Sequence, residues 1–251
     1  MHKNTKVIIY LTTIFISMLL VSCSSTKDLT KLTPSQRLQK AIDNYNNKDY
    51  EEAVASFQSI LIEFAGREVI DSAQFYLAMS RYMKEEYLLA SYEFSKLIQN
   101  MPLSQFVPLS QYMLADCYFQ LSPPMPLDQK YTKKAIEEFQ AFIDFYPNHP
   151  KVDEATKKIK SLNEKLAYKD YNAAYIYERM ENYNAAIFFY SQVIENYHDT
   201  KYAPLALYNR IKVELVKNRK AEAKNDIANF KEKYPTHELY NKILEIEQSL
   251  N

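Results

Sequence analysis

Five phrases of this chain repeat one pattern. They begin at Ala53, Ala90, Ala135, Ala186 and Ala223 and read AVASFQSILIEF, ASYEFSKLIQNMP, AIEEFQAFIDFYP, AIFFYSQVIENY and AKNDIANFKEKYP. Four residues after each alanine stands Phe57, Phe94, Phe139, Tyr190 or Ile227; seven after stands Ile60, Leu97, Phe142, Val193 or Phe230. Offsets of 0, 4, 7 and 8 share one face of a helix. Pro102, Pro147 and Pro235 follow their alanines by twelve residues, where a ring without an N–H cannot continue the hydrogen-bond ladder. Ala65 and His198 hold that place in the other two phrases.

A second phrase precedes the first. Ala41, Ala78 and Ala115 are spaced by 37 residues, as are Tyr45, Tyr82 and Phe119, and Leu38, Phe75 and Tyr112. The gap from small residue to next alanine is twelve for Ala41 to Ala53 and Ala78 to Ala90, and again for Ala174 to Ala186. A small residue on one helix facing a small residue on the next lets antiparallel helices approach closely. That is the logic of tetratricopeptide repeats, and a fixed period of this size predicts stacked helix pairs. The fold class is therefore all-α, a superhelical solenoid of about five tetratricopeptide-like helix pairs, with Ile211 replacing the small residue in the fifth. Two interruptions are specific. Around SPPMPLDQKYT the gap from Ala115 to Ala135 widens to twenty, and three prolines there predict an ordered loop projecting from the third unit, cheap to delete over Ser122 to Leu127. Ala135 to Ala186 spans 51 residues, and Val152, Ala155, Ile159, Leu162, Leu166 and Tyr171 keep helical spacing across it. One long helix is expected to link units one to three (about 34–150) with units four and five (about 151–251).

Composition excludes more than it assigns. The single glycine, Gly66, cannot form a phosphate loop, a dinucleotide fingerprint or a nucleophile elbow, each of which needs several. Lys and Arg balance Asp and Glu at 31 each, which argues against a nucleic-acid surface. Lys157, Lys158 and Lys160 read as a solvated helix face. His149, His198 and His237 sit near turns without further ligands at metal spacing. Glu51, Glu52, Glu137 and Glu138 read as exposed carboxylates, and no catalytic residue is assigned. Cys117, in MLADCYF, reads as a buried small residue.

The N-terminus adds an address. An apolar run from Val7 to Val21, behind His2, Lys3 and Lys6, is too short and interrupted to span a bilayer but fits a secretory signal over residues 1–22. Leu20-Val21-Ser22-Cys23 resembles a bacterial lipobox, which implies cleavage before Cys23 and covalent lipid on its thiol and amine. That lipid is the only prosthetic group expected; no cofactor or metal is. Residues 23–33 then read as the lipidated N-terminus and a flexible tether, followed by a repeat domain over 34–251. Ser24, rather than Asp, after the cysteine favours the outer membrane.

Taken together, the lipobox, five units, the third-unit loop SPPMPLDQKYTKKAIEEFQAFIDFYPNHP and the long-helix stretch KSLNEKLAYKDYNAAYIYERMENYNAAIFFYSQVIENYHDTKYA resemble the BamD family, the lipoproteins of the outer-membrane β-barrel assembly machinery. The resemblance implies a non-enzymatic scaffold on the periplasmic face of the outer membrane. Its implied partners are the periplasmic domains of the barrel insertase, at the C-terminal units, and unfolded outer-membrane proteins, at the N-terminal ones. The residues themselves point to a concave groove lined by the first helix of each pair. In units one to three that face would carry Tyr45, Phe75, Met79, Tyr82, Tyr112 and Phe119, of which two or three are expected to face the groove and the rest to be core. Two other functions stay open: a tetratricopeptide adaptor for cell-wall synthesis or division, and a SusD-like glycan-binding lipoprotein, against which the absence of Trp counts.

Overall fold

The computed structural model describes residues 32–250. Cys23, the signal segment and nearly all of the tether lie outside the described residues. Eleven helices follow one another, with no strand among the described residues. They form five antiparallel pairs: α1 (Pro34–Asn46) with α2 (Tyr50–Glu63), α3 (Ile70–Met83) with α4 (Tyr87–Asn100), α5 (Val107–Gln120) with α6 (Lys130–Phe145), α7 (Val152–Arg179) with α8 (Tyr183–Asn196), and α9 (Tyr202–Val216) with α10 (Lys220–Lys233). A single helix, α11 (Tyr240–Ser249), closes the stack by burying Ile243 and pairing Lys231 with Glu247 at 2.8 Å. No helix among the described residues is long and apolar enough to cross a membrane. The first helix starts cleanly: Thr33 Oγ accepts the Gln36 N–H, the Gln36 side chain accepts the Thr33 N–H, and Pro34 fills the first helical position.

The repeat positions become the core. All five phrase-opening alanines, and Ala41, Ala78, Ala115 and Ala174 opposite them, are fully buried, as are the large residues four and seven places on. Where Ile211 takes the small-residue position, it too is fully buried.

Turns repeat as faithfully as helices. Within pairs one, two, four and five the chain reverses through a left-handed residue, Lys48, Glu85, Glu181 or Asn218 (φ 58–66°). The next N–H reaches back five residues, as Asp49 N to Asn44 O and Glu86 N to Arg81 O do, which is the Schellman closure glycine usually serves. A chain with one glycine thus builds four such turns from lysine, glutamate and asparagine. Between pairs, two backbone bonds three residues apart recur five times, at Phe64, Arg67 and Ile70 and at their equivalents up to Tyr234, His237 and Tyr240. In two of these turns a histidine Nδ1 accepts an N–H two residues on, His149 from Lys151 and His237 from Leu239.

Two interruptions set the shape. The third-unit loop does not project freely as expected; it folds onto α7. Lys165 Nζ donates to Ser122 Oγ (2.7 Å) and Pro123 O (2.8 Å), Lys169 Nζ donates to Leu127 O, and buried Gln129 donates to the Pro124 and Leu127 carbonyls. Helix α7 runs 28 residues, twice an ordinary first helix. Its first half, with Ala155 and Leu162, belongs to the core of units two and three; its second, with Ala167 and Ala174, belongs to the core of units four and five. Because α8 pairs only with the second half, the later units are shifted along α7 by about 14 residues, or about 20 Å. Lys201 at the start of α9 accordingly lies near Glu164, and Tyr202 against Tyr168.

Candidate partner-binding groove

The first helices α1, α3, α5 and α7 stand side by side, and the residues expected in a groove lie where they meet. Tyr45 is half-buried, edge-on to Tyr76 of α3 at 5.5 Å and tilted to Tyr50 at 5.7 Å. Burial holds its phenol above the usual range. Met79, Tyr82 and Phe119 are half-buried as well. Phe75 and Tyr112 are not groove residues. Phe75 is 6% exposed, stacked on Phe106 at 4.6 Å, and Tyr112 is 2% exposed, against Phe139 and Phe142. Both are covered by the turn that precedes the next helix pair.

Below the half-buried row runs a polar network that ties three helices together. Tyr82 of α3 donates to Asp116 Oδ2 at 2.6 Å. Asp116 of α5, buried beside Ala115, receives Lys158 Nζ of α7 on Oδ1 at 2.5 Å. Lys158 also donates to the Tyr112 hydroxyl at 2.8 Å, and Tyr112 donates to Glu154 Oε1 at 2.6 Å. Lys151 completes the chain at 2.9 Å from Glu154 Oε2. The Lys158 ammonium lies 5.1 Å from the Phe119 ring centre and 5.7 Å from that of Phe139. Burial and the bond to Asp116 push the Tyr82 phenol well above its ordinary range, and burial with Glu154 does the same to Tyr112. The Tyr112 hydroxyl and Lys151 hold the Glu154 carboxyl down at about 2.

Two readings from the sequence change here. Lys158 does not belong to a solvated face: its side chain is 18% exposed and is spent on Asp116. Glu138 is not free either, since it accepts from buried Gln111 at 2.8 Å. The same link occurs one unit earlier, Gln74 to Glu93 at 2.8 Å. Asp116 and Lys158 were missed because one followed a core alanine and the other sat in a lysine-rich run.

Cys117, the free cysteine among the described residues, is fully buried, and burial pushes its thiol far above the reactive range. No group of three His, Cys, Asp or Glu among the described residues is placed to hold a metal ion. A cavity between α1 and α2, lined by Arg37, Lys40, Glu52 and Ser59, holds about 170 Å³, and a shallow concavity lined by Lys48, Tyr50, Glu51 and Lys84 holds about 510 Å³.

Comparison with known proteins adds a family. The family model YfiO, described as an outer membrane lipoprotein, matches residues 30–229. Outer membrane protein assembly factor BamD of Rickettsia prowazekii is 26% identical over 227 residues, 90% of each chain. The BamD protein of Caulobacter vibrioides is 25% identical over 184 residues, 73% of this chain and 60% of that one. Among solved structures, the TPR2AB domain of yeast Sti1 in complex with an Hsp90 peptide aligns over 81% of this chain and 78% of its own, with TM-score 0.43 and 16% identity. The tetratricopeptide protein TTC0263 of Thermus thermophilus covers 87% and 98%, with TM-score 0.38 and 15% identity.

Proposed function

The chain belongs to the YfiO family of outer membrane lipoproteins, and from that premise we propose that it is a non-enzymatic scaffold of outer-membrane protein assembly. Cys23 carries the lipid that holds it at the periplasmic face of the outer membrane. The groove of units one to three receives unfolded outer-membrane proteins, and units four and five hold the periplasmic domains of the barrel insertase. The observation that carries the first part is the row of half-buried Tyr45, Met79, Tyr82 and Phe119 along successive first helices, above a floor whose charges are already neutralised. Such a row offers apolar area, with the Tyr45 hydroxyl as a polar tip, to an extended strand whose side chains alternate between apolar and polar. Similarity to the BamD assembly factors of two bacteria supports the setting.

The test is in-cell photo-crosslinking from Met79 and from Tyr45 in the full chain. Adducts with outer-membrane proteins caught before folding are expected from these positions, and adducts with the insertase from Met180, an exposed residue of the later units. Adducts confined to cell-wall enzymes would overturn the reading.

A further inference from the structure

The repeat allows each surface position to be compared with its four equivalents. Nine residues after the phrase-opening alanine stand Ile62, Gln99, Asp144, Glu195 and Glu232; ten after stand Glu63, Asn100, Phe145, Asn196 and Lys233. Thirteen after, at the tip of the turn between pairs, stand Gly66, Leu103, Asn148, Asp199 and Thr236. Three positions that are otherwise polar or glycine thus each carry one large apolar residue, and all three fall in units one to three. Leu103 is 99% exposed, Ile62 80% and Phe145 74%, above every other large exposed hydrophobic among the described residues. None belongs to a core cluster. Lone exposed apolar residues need no explanation, but three at otherwise polar positions on one edge do.

That edge has an identity. In an antiparallel stack the second helix of each pair ends where the first begins, so the ends of α2, α4 and α6 share an edge with the start of α1. The chain therefore leaves α1 at Pro34 from the edge that carries Ile62, Leu103 and Phe145. Cys23 lies eleven residues earlier, a distance of at most about 40 Å. The opposite edge carries exposed Met83 and Leu88, but it stands a helix length, about 20 Å, farther from the anchor. The shift along α7 also carries the corresponding edge of units four and five out of line, and there the equivalent positions are Glu195, Asn196, Asp199, Glu232, Lys233 and Thr236.

We propose that the edge formed by the turns after α2, α4 and α6 lies on the membrane leaflet that holds Cys23, with Ile62, Leu103 and Phe145 entering its interfacial zone. The inference rests on Cys23 being the lipid anchor. Acyl groups on both the thiol and the amine already anchor the chain, and interfacial binding grows with the apolar area buried, so the edge adds a second contact to an existing anchor. The second contact also fixes orientation. A body held by a tether alone could tumble; one held by tether and edge presents units four and five away from the leaflet.

The chain contains no Trp, so single substitutions give clean reporters. The full lipidated chain is prepared as Leu103→Trp, Phe145→Trp and Val216→Trp, the last at the far end of α9, and placed in vesicles of phosphatidylethanolamine and phosphatidylglycerol with or without brominated acyl chains. The expected result is blue-shifted emission that bromine quenches for Leu103→Trp and Phe145→Trp, with Val216→Trp unaffected. Unquenched emission from the first two, on vesicle-bound protein, overturns the proposal, as does equal quenching of all three. The mass of the mature N-terminal peptide reports separately on the lipid. If Cys23 bears none, its thiol is coupled to maleimide-bearing lipid in the same vesicles, Cys117 being buried, and the same quenching decides the edge.

Discussion

Lys158→Met is the most informative single change in the groove floor. The substitution keeps most of the apolar stem between Phe119 and Phe139 and removes the ammonium. It leaves Asp116, whose side chain is 7% exposed, as a buried anion with only the Tyr82 hydroxyl as donor. Glu154 loses a contact at 3.2 Å but keeps Tyr112 and Lys151 and is 48% exposed, so its share is small. Breaking a buried pair from one side costs about 3–5 kcal/mol, and the exposed margin of Lys158 favours the lower end. The expectation is a loss of about 3 kcal/mol, or about 6–12 °C in melting temperature for a chain of this length. Asp116→Asn combined with Lys158→Met removes both charges and is expected to recover at least half of that loss. Urea titration followed by circular dichroism, on both singles and the double, closes the cycle. A stack of repeats can melt in parts, so the m-values must agree for the comparison to hold. If Lys158→Met lies within about 0.5 kcal/mol of the parent, as surface substitutions do, the network does not join α3, α5 and α7 energetically.

Three further outcomes are expected. Glu214, 5% exposed with Oε2 unpartnered, is pushed up to about 7 by burial, with neighbouring Asp226 adding to the rise. Its folded value exceeds the unfolded one near 4.5, so the folded state binds the extra proton. Stability should therefore fall as pH rises from about 4.5 to 7, by up to about 3 kcal/mol, and Glu214→Gln should flatten that slope in urea midpoints read across the range. Glu85→Gly relieves a left-handed non-glycine turn and should stabilise by about 0.5–1 kcal/mol in the same titration; a loss would mean that glutamate makes a contact worth more than the strain. Gln129→Ala removes the donor that holds the third-unit loop and should cost about 1–3 kcal/mol, with faster limited proteolysis between Ser122 and Asp128 at unchanged helicity.

The helix pairs were legible because burial imposes a strict spacing: a residue at offset 0, 4 or 7 either packs or leaves a hole, and all fifteen such positions are 0–1% exposed. The loop was legible as a loop, from its prolines, but not as a strap. Its anchors Lys165 and Lys169 lie some 40 residues on and reach it only because α7 passes beside it. Gln74 and Gln111 are 37 residues apart and meet glutamates at matching positions of the next helix; that signal was present in the repeat and concealed by the habit of reading polar side chains as surface. Lys158 gave no such signal. Its partners sit 42 and 46 residues away, across the point where the period breaks.

The division among the six groove candidates follows from level rather than angle. Phe75 and Tyr112 lie three residues before the buried alanine of their helix, Met79 one after, and Tyr45, Tyr82 and Phe119 four after. With about 100° per residue these offsets fall within about 60° of one another, so helical periodicity cannot separate them. Axially they differ by as much as two turns. The earlier position lies near the end where the chain enters from the preceding pair, and there the next turn folds over it: Phe106 over Phe75, Lys151 over Tyr112. The later position lies toward the other end, where the neighbouring first helix supplies only a side: Tyr76 beside Tyr45, Asp116 beneath Tyr82. Of the six candidates, those past the buried alanine of their helix are therefore the ones that keep surface open, and Phe75 and Tyr112 are not.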